Sequence, residues 1–542
     1  MVPAKKSFHL KRRGAVLILS MIFVVIFSAL AVSMATLSGA NAQLASNQHK
    51  LASARSAAES GLECGKYIMS VANAPGFLPS TAFNTVTTAQ ADLVWSRLCA
   101  QVQAQPWVAN QASQQATVIT APAKTFGATN CSFQVQFSRV GTHTIRIDGI
   151  GNNGQTTRRA SIDMIIQKDR DILNYAVASR GRMWLTGEST IHGSIYSDWD
   201  RAEIAPFNMT SDSAVLGTVN TVLTQQQIQP QSYQLETLDA NGNPIDANGT
   251  PLGINFQDRY YGPSDEIQAY HEGVNYGQQN SNMPGLDIAD YVTDSYDSSL
   301  TQIPSAPTSS KEVEYFPHAS GNYNYPRDGT PSSTWNRRLD RHVYENETFT
   351  NAKLPSNRNA LFRNCTFEEV LYVDASKSTS SYYNNVRFEN CTFNGTIVTD
   401  TPNSFKWRHN ALYFTGQATF DNTSATQEAT ILAPHFNVNL GNTNPQQSEN
   451  NVLTGAIIGG IVDVRGNAQV YGTVVSMCDT TQWSSGYVTN IGATLDDGGN
   501  ETTEVGDVGV ITITPDPDQL LPNGIISPII LKPQQGTYSE GV

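Results

Sequence analysis

The 542-residue chain is 39% apolar and 15% charged, with a formal net charge of −13 at pH 7, so it is long enough for about three or four domains of roughly 150 residues and apolar enough to fill their cores. Few charges, with Gly, Asn, Ser, Thr and Tyr in their place, exclude a disordered tail and favour strands and turns. The first 58 residues hold seven cations (Lys5, Lys6, Lys11, Arg12, Arg13, Lys50 and Arg55) and no Asp or Glu, which leaves −20 for the rest; a body that acidic repels phosphate backbones and excludes nucleic acid as its partner.

The N-terminus carries the strongest pattern. No charged residue lies between Gly14 and Gln48, and Ala15 to Leu37 is an apolar run of about 23 residues, which at 1.5 Å per residue crosses ~30 Å of hydrocarbon. Five cations precede it and the next is Lys50, so the positive-inside bias keeps the N-terminus cytoplasmic and sends the bulk across the membrane. A secretory signal peptide is the alternative, with Ala40-Asn41-Ala42 as an A-x-A cleavage site. Against it, the run exceeds a signal h-region and the helical pattern continues: Leu30, Leu37, Leu44 and Leu51 fall seven apart, and no Pro intervenes before Pro75. One long helix is expected, apolar all round in its first half, with a narrow Leu/Ala stripe packing onto a globular domain in its second.

A basic leader ending in Gly14 (residues 1–14), then Ala15 and an apolar helix (15–37), then an Ala-rich segment with AAESGLE resembles the N-terminus of type IV pilins, specifically PilX-like minor pilins, over roughly residues 8–70. The resemblance implies cleavage by a prepilin peptidase between Gly14 and Ala15, methylation of the new terminus, a single inner-membrane span, and other pilin subunits as partners in a surface filament. Major pilins carry a Glu five residues after the cleaved Gly, where its carboxylate pairs with a neighbour's amino terminus. Leu19 stands at that position, which in related filaments goes with a tip or initiating subunit.

After the helix, a loop and a short helix around Ala89–Gln103 lead to alternating segments at Thr117–Thr120, Phe133–Phe137, Ile145–Ile147 and Ile162–Ile166. The last two are joined through Gly149–Gly154, and period two with its Asn-Gly turn argues an antiparallel meander. Residues 38–170 thus form an α+β head, the pilin layout. It contains Cys64, Cys99 and Cys131, two of which are expected to pair.

Beyond Asp171 distant segments match. Leu185–Ser197 aligns without gaps to Val464–Ser476, bringing Gly187 onto Gly466 and Gly193 onto Gly472, and Phe414–Phe420 is a third partial copy. Short strands between Gly corners predict coils of a β-solenoid that bury their faces on one another. FRNCTF at Phe362 and FENCTF at Phe388 are one coil apart, so Asn364 should stack on Asn390 as an amide ladder and Cys365 on Cys391 as a small apolar column. The N-C-T triplets read as glycosylation sequons less well, because this composition generates them. ILAPHFNVNLG and LTGAIIGGIVDVRGNAQVYGTVVS also resemble the solenoid attached to PilX-like proteins. The fold expected is a pilin-like α+β module followed by a mainly β domain, a parallel β-helix, with coils at 171–224 and 346–480.

Residues 225–345 are a Tyr/Asn/Asp/Pro-rich insertion whose Tyr260, Tyr261, Tyr270, Tyr276, Tyr291 and Tyr296 could contact a surface, and 481–542 is an acidic C-terminal segment. DANGNPI and DANGTPL, from Asp239 and Asp246, and the acidic run Asp496–Glu501 read as turns rather than calcium loops. The sequence has no H-E-x-x-H, G-x-S-x-G or P-loop, and no cofactor, metal or catalytic residue is expected. Gly193 should turn a corner beside His192, and Asp463 should point to solvent. Two functions follow: a tip or initiating filament subunit presenting a solenoid to a polysaccharide, host or abiotic surface, or a membrane-anchored β-helix polysaccharide lyase or hydrolase with two carboxylates on adjacent coils.

Overall fold

The computed structural model describes residues 13–541 except 75, 84, 128–129, 186–188, 201–205, 210–212, 229–236, 239–243, 246–269, 279–282, 287–298, 305, 309–311, 317–336, 377–383, 401–409, 421–430, 441–450, 465–467, 478–487, 493–509 and 517–523. It divides into two compact units, one made of Met1–Pro79, Val86–Gln167 and Ile530–Val542, the other of Ser80–Thr85 and Lys168–Ile529. Both segments of the second thus interrupt the chain of the first.

The first unit begins with helix α1, Arg13–Ala72. Residues 15–52 are exposed on every side, and burial starts at Ala54. The expected Leu stripe keeps its phase but not its chemistry. Leu44 and Leu51 are 57% and 36% exposed, and contact is made further on by Ala54, Ala58, Gly61, Gly65, Ile68 and Ala72, whose alternating four- and three-residue steps place them on one helix face. The facing strand, Thr144–Asn153, explains why these residues are small. A Cβ on Gly149 would lie 2.1 Å from the Ala58 carbonyl oxygen, and one on Gly151 would lie 2.0 Å from that of Ala54. Helix and strand backbones touch, and a leucine there has no room.

Helix α2, Thr88–Gln103, starts with a capping box between Thr87 and Gln90 and buries Val94, Trp95, Leu98 and Val102. The sheet is antiparallel: Thr156–Lys168 pairs Thr144–Asn153, which pairs Cys131–Gly141, which pairs Val118–Thr120. Gly149 to Asn153 are strand rather than turn, and the reversal falls at Gly154, where φ is +63. The expected disulfide is not formed: Cys64 and Cys99 hold free thiols, and Cys131 Sγ lies 3.5 Å from the Ser53 carbonyl. The C-terminus returns to this sheet. Ser539–Gly541 pairs Thr156–Lys168, Asn73 bonds both the N–H and the carbonyl of Leu531, and Gln534 N donates to Asp163 O at 2.8 Å.

The second unit is built on parallel pairing between strands that are not consecutive in the chain. Ala360 faces Val386, Val386 faces Leu412, Leu412 faces Val438 and Val438 faces Val462. A second column of strands runs alongside: Thr348–Leu354 pairs Thr366–Val373, and that pairs Thr392–Thr399. Strands buried on both faces read as near-continuous apolar runs, as in Ile457–Val464, where every residue is buried. Arg337–Glu345 belongs to the same columns, with His342 facing Ala360, so the segment drawn as an insertion to residue 345 contributes a strand. Its polar composition hides it in the sequence.

The chain does not add strands in simple order. Val177 faces Val474, Leu185 faces Ile491 and Ile191 faces Ile513, so the first strands of the unit lie against its last. This places the internal repeat. Leu185 and Val464 both face Ile491, Ile191 and Val470 both face Ile513, and Ile195 and Val474 both face Val177. Phe414 enters the first of these columns through Leu440, which faces Val464.

Inside, two aromatic columns run in parallel. Tyr344, Phe362, Phe388 and Phe414 stack at 5.1, 5.5 and 5.1 Å between centroids, and Phe349, Phe367, Phe393 and Phe420 at 5.4, 5.1 and 4.5 Å. Rings of the two columns meet edge to face, the geometry aromatic quadrupoles prefer, as between Phe367 and Phe388.

Candidate functional site

The feature with an evident use is the free part of α1. Leu17, Leu19, Phe23, Val25 and Phe27 are 51–67% exposed, although burying such side chains stabilises by about 1.5–3 kcal/mol each. It is the one described helix long and apolar enough to cross a membrane, with mean hydropathy 2.9 in its best window and none of that window buried. Gly14 and Ala15 lie in its first turn, and Leu19 is 57% exposed on its apolar surface.

Where the helix joins the head the surface becomes charged. Arg55 pairs with Glu59 at 3.1 Å and with Glu540 at 2.6 Å, tying the first acidic residue and the C-terminal strand to one guanidinium. These groups line an open groove of about 490 Å3 with Arg158 and Arg159.

Among the candidate positions of the second unit, Gly187 and Gly466 lie outside the described residues. Gly472 has φ +151, and a Cβ there would meet the Gly455 carbonyl oxygen at 2.0 Å. Gly193 sits against Pro515, and a Cβ on Gly217 would meet the Gly193 backbone at 2.5 Å. These positions form one corner column, linked by Gly472 N to Thr514 O and His192 N to Ile513 O, both 2.7 Å. Asn364 and Asn390 have φ of 52 and 53, the left-handed region that Asn tolerates. Their amides serve the corner: Asn364 Nδ2 donates to Asn346 Oδ1 at 3.4 Å, and Asn390 Oδ1 accepts from Gln417 N at 2.9 Å. Cys365 and Cys391 are 1% and 0% exposed.

His192 is exposed, while Asp463, expected at the solvent, is 1% exposed and faces Asn439 in register. The outward side of its sheet is covered, as Arg341, Tyr413, Asn437 and Asn439 are also at most 1% exposed. One charged constellation was not legible in the sequence, because its members are far apart in the chain. Arg363 bridges Glu345 at 2.6 Å, Glu312 at 2.9 Å and Glu389 at 3.2 Å. Burial pushes the Asp198 carboxyl up to about 6, against the Tyr196 hydroxyl that donates to it at 2.9 Å. No group of three or more His, Cys, Asp or Glu able to hold a metal occurs among the described residues.

Residues 13–63 match the family model described as PilX N-terminal. The helix that leaves the head is type IV pilin-like. No curated protein matches the chain. Among solved structures, the competence-associated pilin ComZ from Thermus thermophilus is similar at 12% identity, over 91% of this chain and 97% of that one, with a TM-score of 0.26; a likeness that low supports no inference.

Proposed function

We propose that the chain is a minor pilin-like subunit, the tip or initiating subunit of a type IV pilus or related filament, that presents a β-solenoid to a surface. The observation that carries this is the bare pilin-like helix with Leu19 where a major pilin has Glu. Its apolar side chains serve first a membrane and then a filament core, and it lacks the carboxylate that would pair with a neighbour's amino terminus. Prepilin peptidase would cut between Gly14 and Ala15. The bulk would lie outside the inner membrane, with other pilin subunits as partners and a structural rather than catalytic role.

The in-register parallel columns with glycine and asparagine corners support reading the second unit as a solenoid. N-terminal sequencing of the mature protein tests the subunit class, with methylated Ala15 expected; a chain beginning at Gln43 would be a signal-peptidase product and would sink it. Immunogold labelling tests the place, since even decoration along filaments contradicts a position at the filament end.

A further inference from the structure

We propose that Cys365 and Cys391 are a cystine site, a disulfide that staples two successive turns of the parallel stack when the folding chain meets a disulfide-bearing thiol oxidant outside the cytoplasm. The compartment rests on the function proposed above; the pairing rests on geometry alone. Arg363 faces Glu389 and Thr366 faces Thr392, and the corner between those strands holds two residues in each copy, so Cys365 lies beside Cys391. Backbone bonds hold the register on both sides: Asn364 N to Glu389 O at 2.9 Å and Thr392 N to Cys365 O at 3.0 Å. Neighbouring strands roughly 4.8 Å apart fall inside the ~4.4–6.8 Å between Cα atoms that a disulfide spans.

Both thiols turn inward. Cys391 Sγ is 3.3 Å from the Phe362 carbonyl and so leans towards the turn that carries Cys365. The Cys391 thiol hydrogen-bonds Cys365 and holds it below the ordinary thiol range, while burial pushes Cys391 well above it. That asymmetry makes Cys365 the first nucleophile. Its thiolate attacks the oxidant's disulfide, giving a mixed disulfide and one oxidant thiolate. Cys391 then loses its proton and attacks Cys365 Sγ, releasing the second oxidant sulfur. The two protons end on the oxidant's thiols, and one S–S bond has moved into the protein. With both sulfurs sealed in the finished stack, exchange takes place while the turns assemble, before Asn410–Thr415 covers Asn384–Glu389.

The test uses the full chain in detergent, with thiols trapped by N-ethylmaleimide at lysis, then unfolded, digested and mapped with and without reductant. The expected result is a peptide joining Cys365 to Cys391 that parts on reduction. In a second arm the chain is reduced, unfolded and refolded with oxidised glutathione, and only the fraction that regains its far-ultraviolet β signal is mapped. The joined peptide in both arms supports the proposal. The joined peptide in the refolded arm alone supports the pairing and overturns the extracytoplasmic placement. Separate alkylation of Cys365 and Cys391 in both arms overturns the cystine.

Discussion

Single atoms decide the contact between α1 and the head. Gly151 has no Cβ because the Ala54 carbonyl and the Ala58 N–H occupy that space, at 2.0 and 2.3 Å from where it would be. Both are backbone atoms and cannot rotate away. Gly151→Val must therefore lift the helix, and overpacking of this kind costs about 1–3 kcal/mol or more; a lower urea midpoint and faster proteolysis of the head are expected, with wild-type behaviour the contrary result. A different residue-scale effect is set by charge. The Asp198 carboxyl is raised from 3.8 to about 6 by burial. Below both values it is protonated whether the chain is folded or not. Between about 4 and 6 the folded state holds a proton that the unfolded state has lost, so stability falls as pH rises through that window and stays lowered above it. Asp198→Asn, which keeps an acceptor for Tyr196, should flatten this slope and raise the unfolding midpoint at pH 7. An unchanged slope would assign the dependence to other groups.

At the scale of elements, the aromatic columns show how a degenerate sequence specifies one register. A one-residue slip would turn every inward ring outward. Phe388 touches Phe362 and Phe414 in its own column and Phe367 and Phe393 across the core. Phe388→Ala empties the crossing point, and large-to-small changes of this kind cost about 3–5 kcal/mol; Phe388→Leu should lose less, as read from denaturant midpoints of the second unit. The columns were legible because FRNCTF and FENCTF repeat the inward residues themselves. The matching of Leu185–Ser197 to Val464–Ser476 was legible for the same reason, although nothing in it says that the two copies lie one strand apart. Three things were hidden. Leucine periodicity marked the right face of α1 but not the residues that pack, since Ala and Gly score weakly on any apolar scale. Gly149 and Gly151 looked like a turn because close backbone approach and chain reversal draw on the same residue. The strand Arg337–Glu345 reads as polar, and Arg363's three carboxylate partners are spread from Glu312 to Glu389, a distance no local pattern spans.

At the scale of the whole molecule, segments far apart in the chain complete one unit. The chain leaves the head at Lys168 and re-enters it at Ile530, and the flanking segments are hydrogen-bonded to each other, Asp169 N to Pro528 O at 2.8 Å. On the far side of that junction, Gln534 bonds the Asp163 carbonyl, Thr537 Oγ1 accepts from Asp163 N, Ser539–Gly541 extends the sheet and Glu540 meets Arg55. The last 13 residues, Ile530–Val542, therefore act as a strand of the head delivered after the whole insertion has been made. Their removal should leave the edge of Thr156–Lys168 unpaired, with N–H and carbonyl groups open to other chains. Two deletions separate this from a merely connective role. Truncation after Ile529 should yield a head that is rapidly proteolysed or aggregates. Replacing residues 171–523 by a short Gly/Ser turn, which keeps 524–542 and joins two strands already side by side, should yield a folded, protease-resistant head. A resistant head in the truncated chain, or a degraded one in the bridged chain, would show that the C-terminal strands do not complete the first unit and that its stability comes from the helix and meander alone.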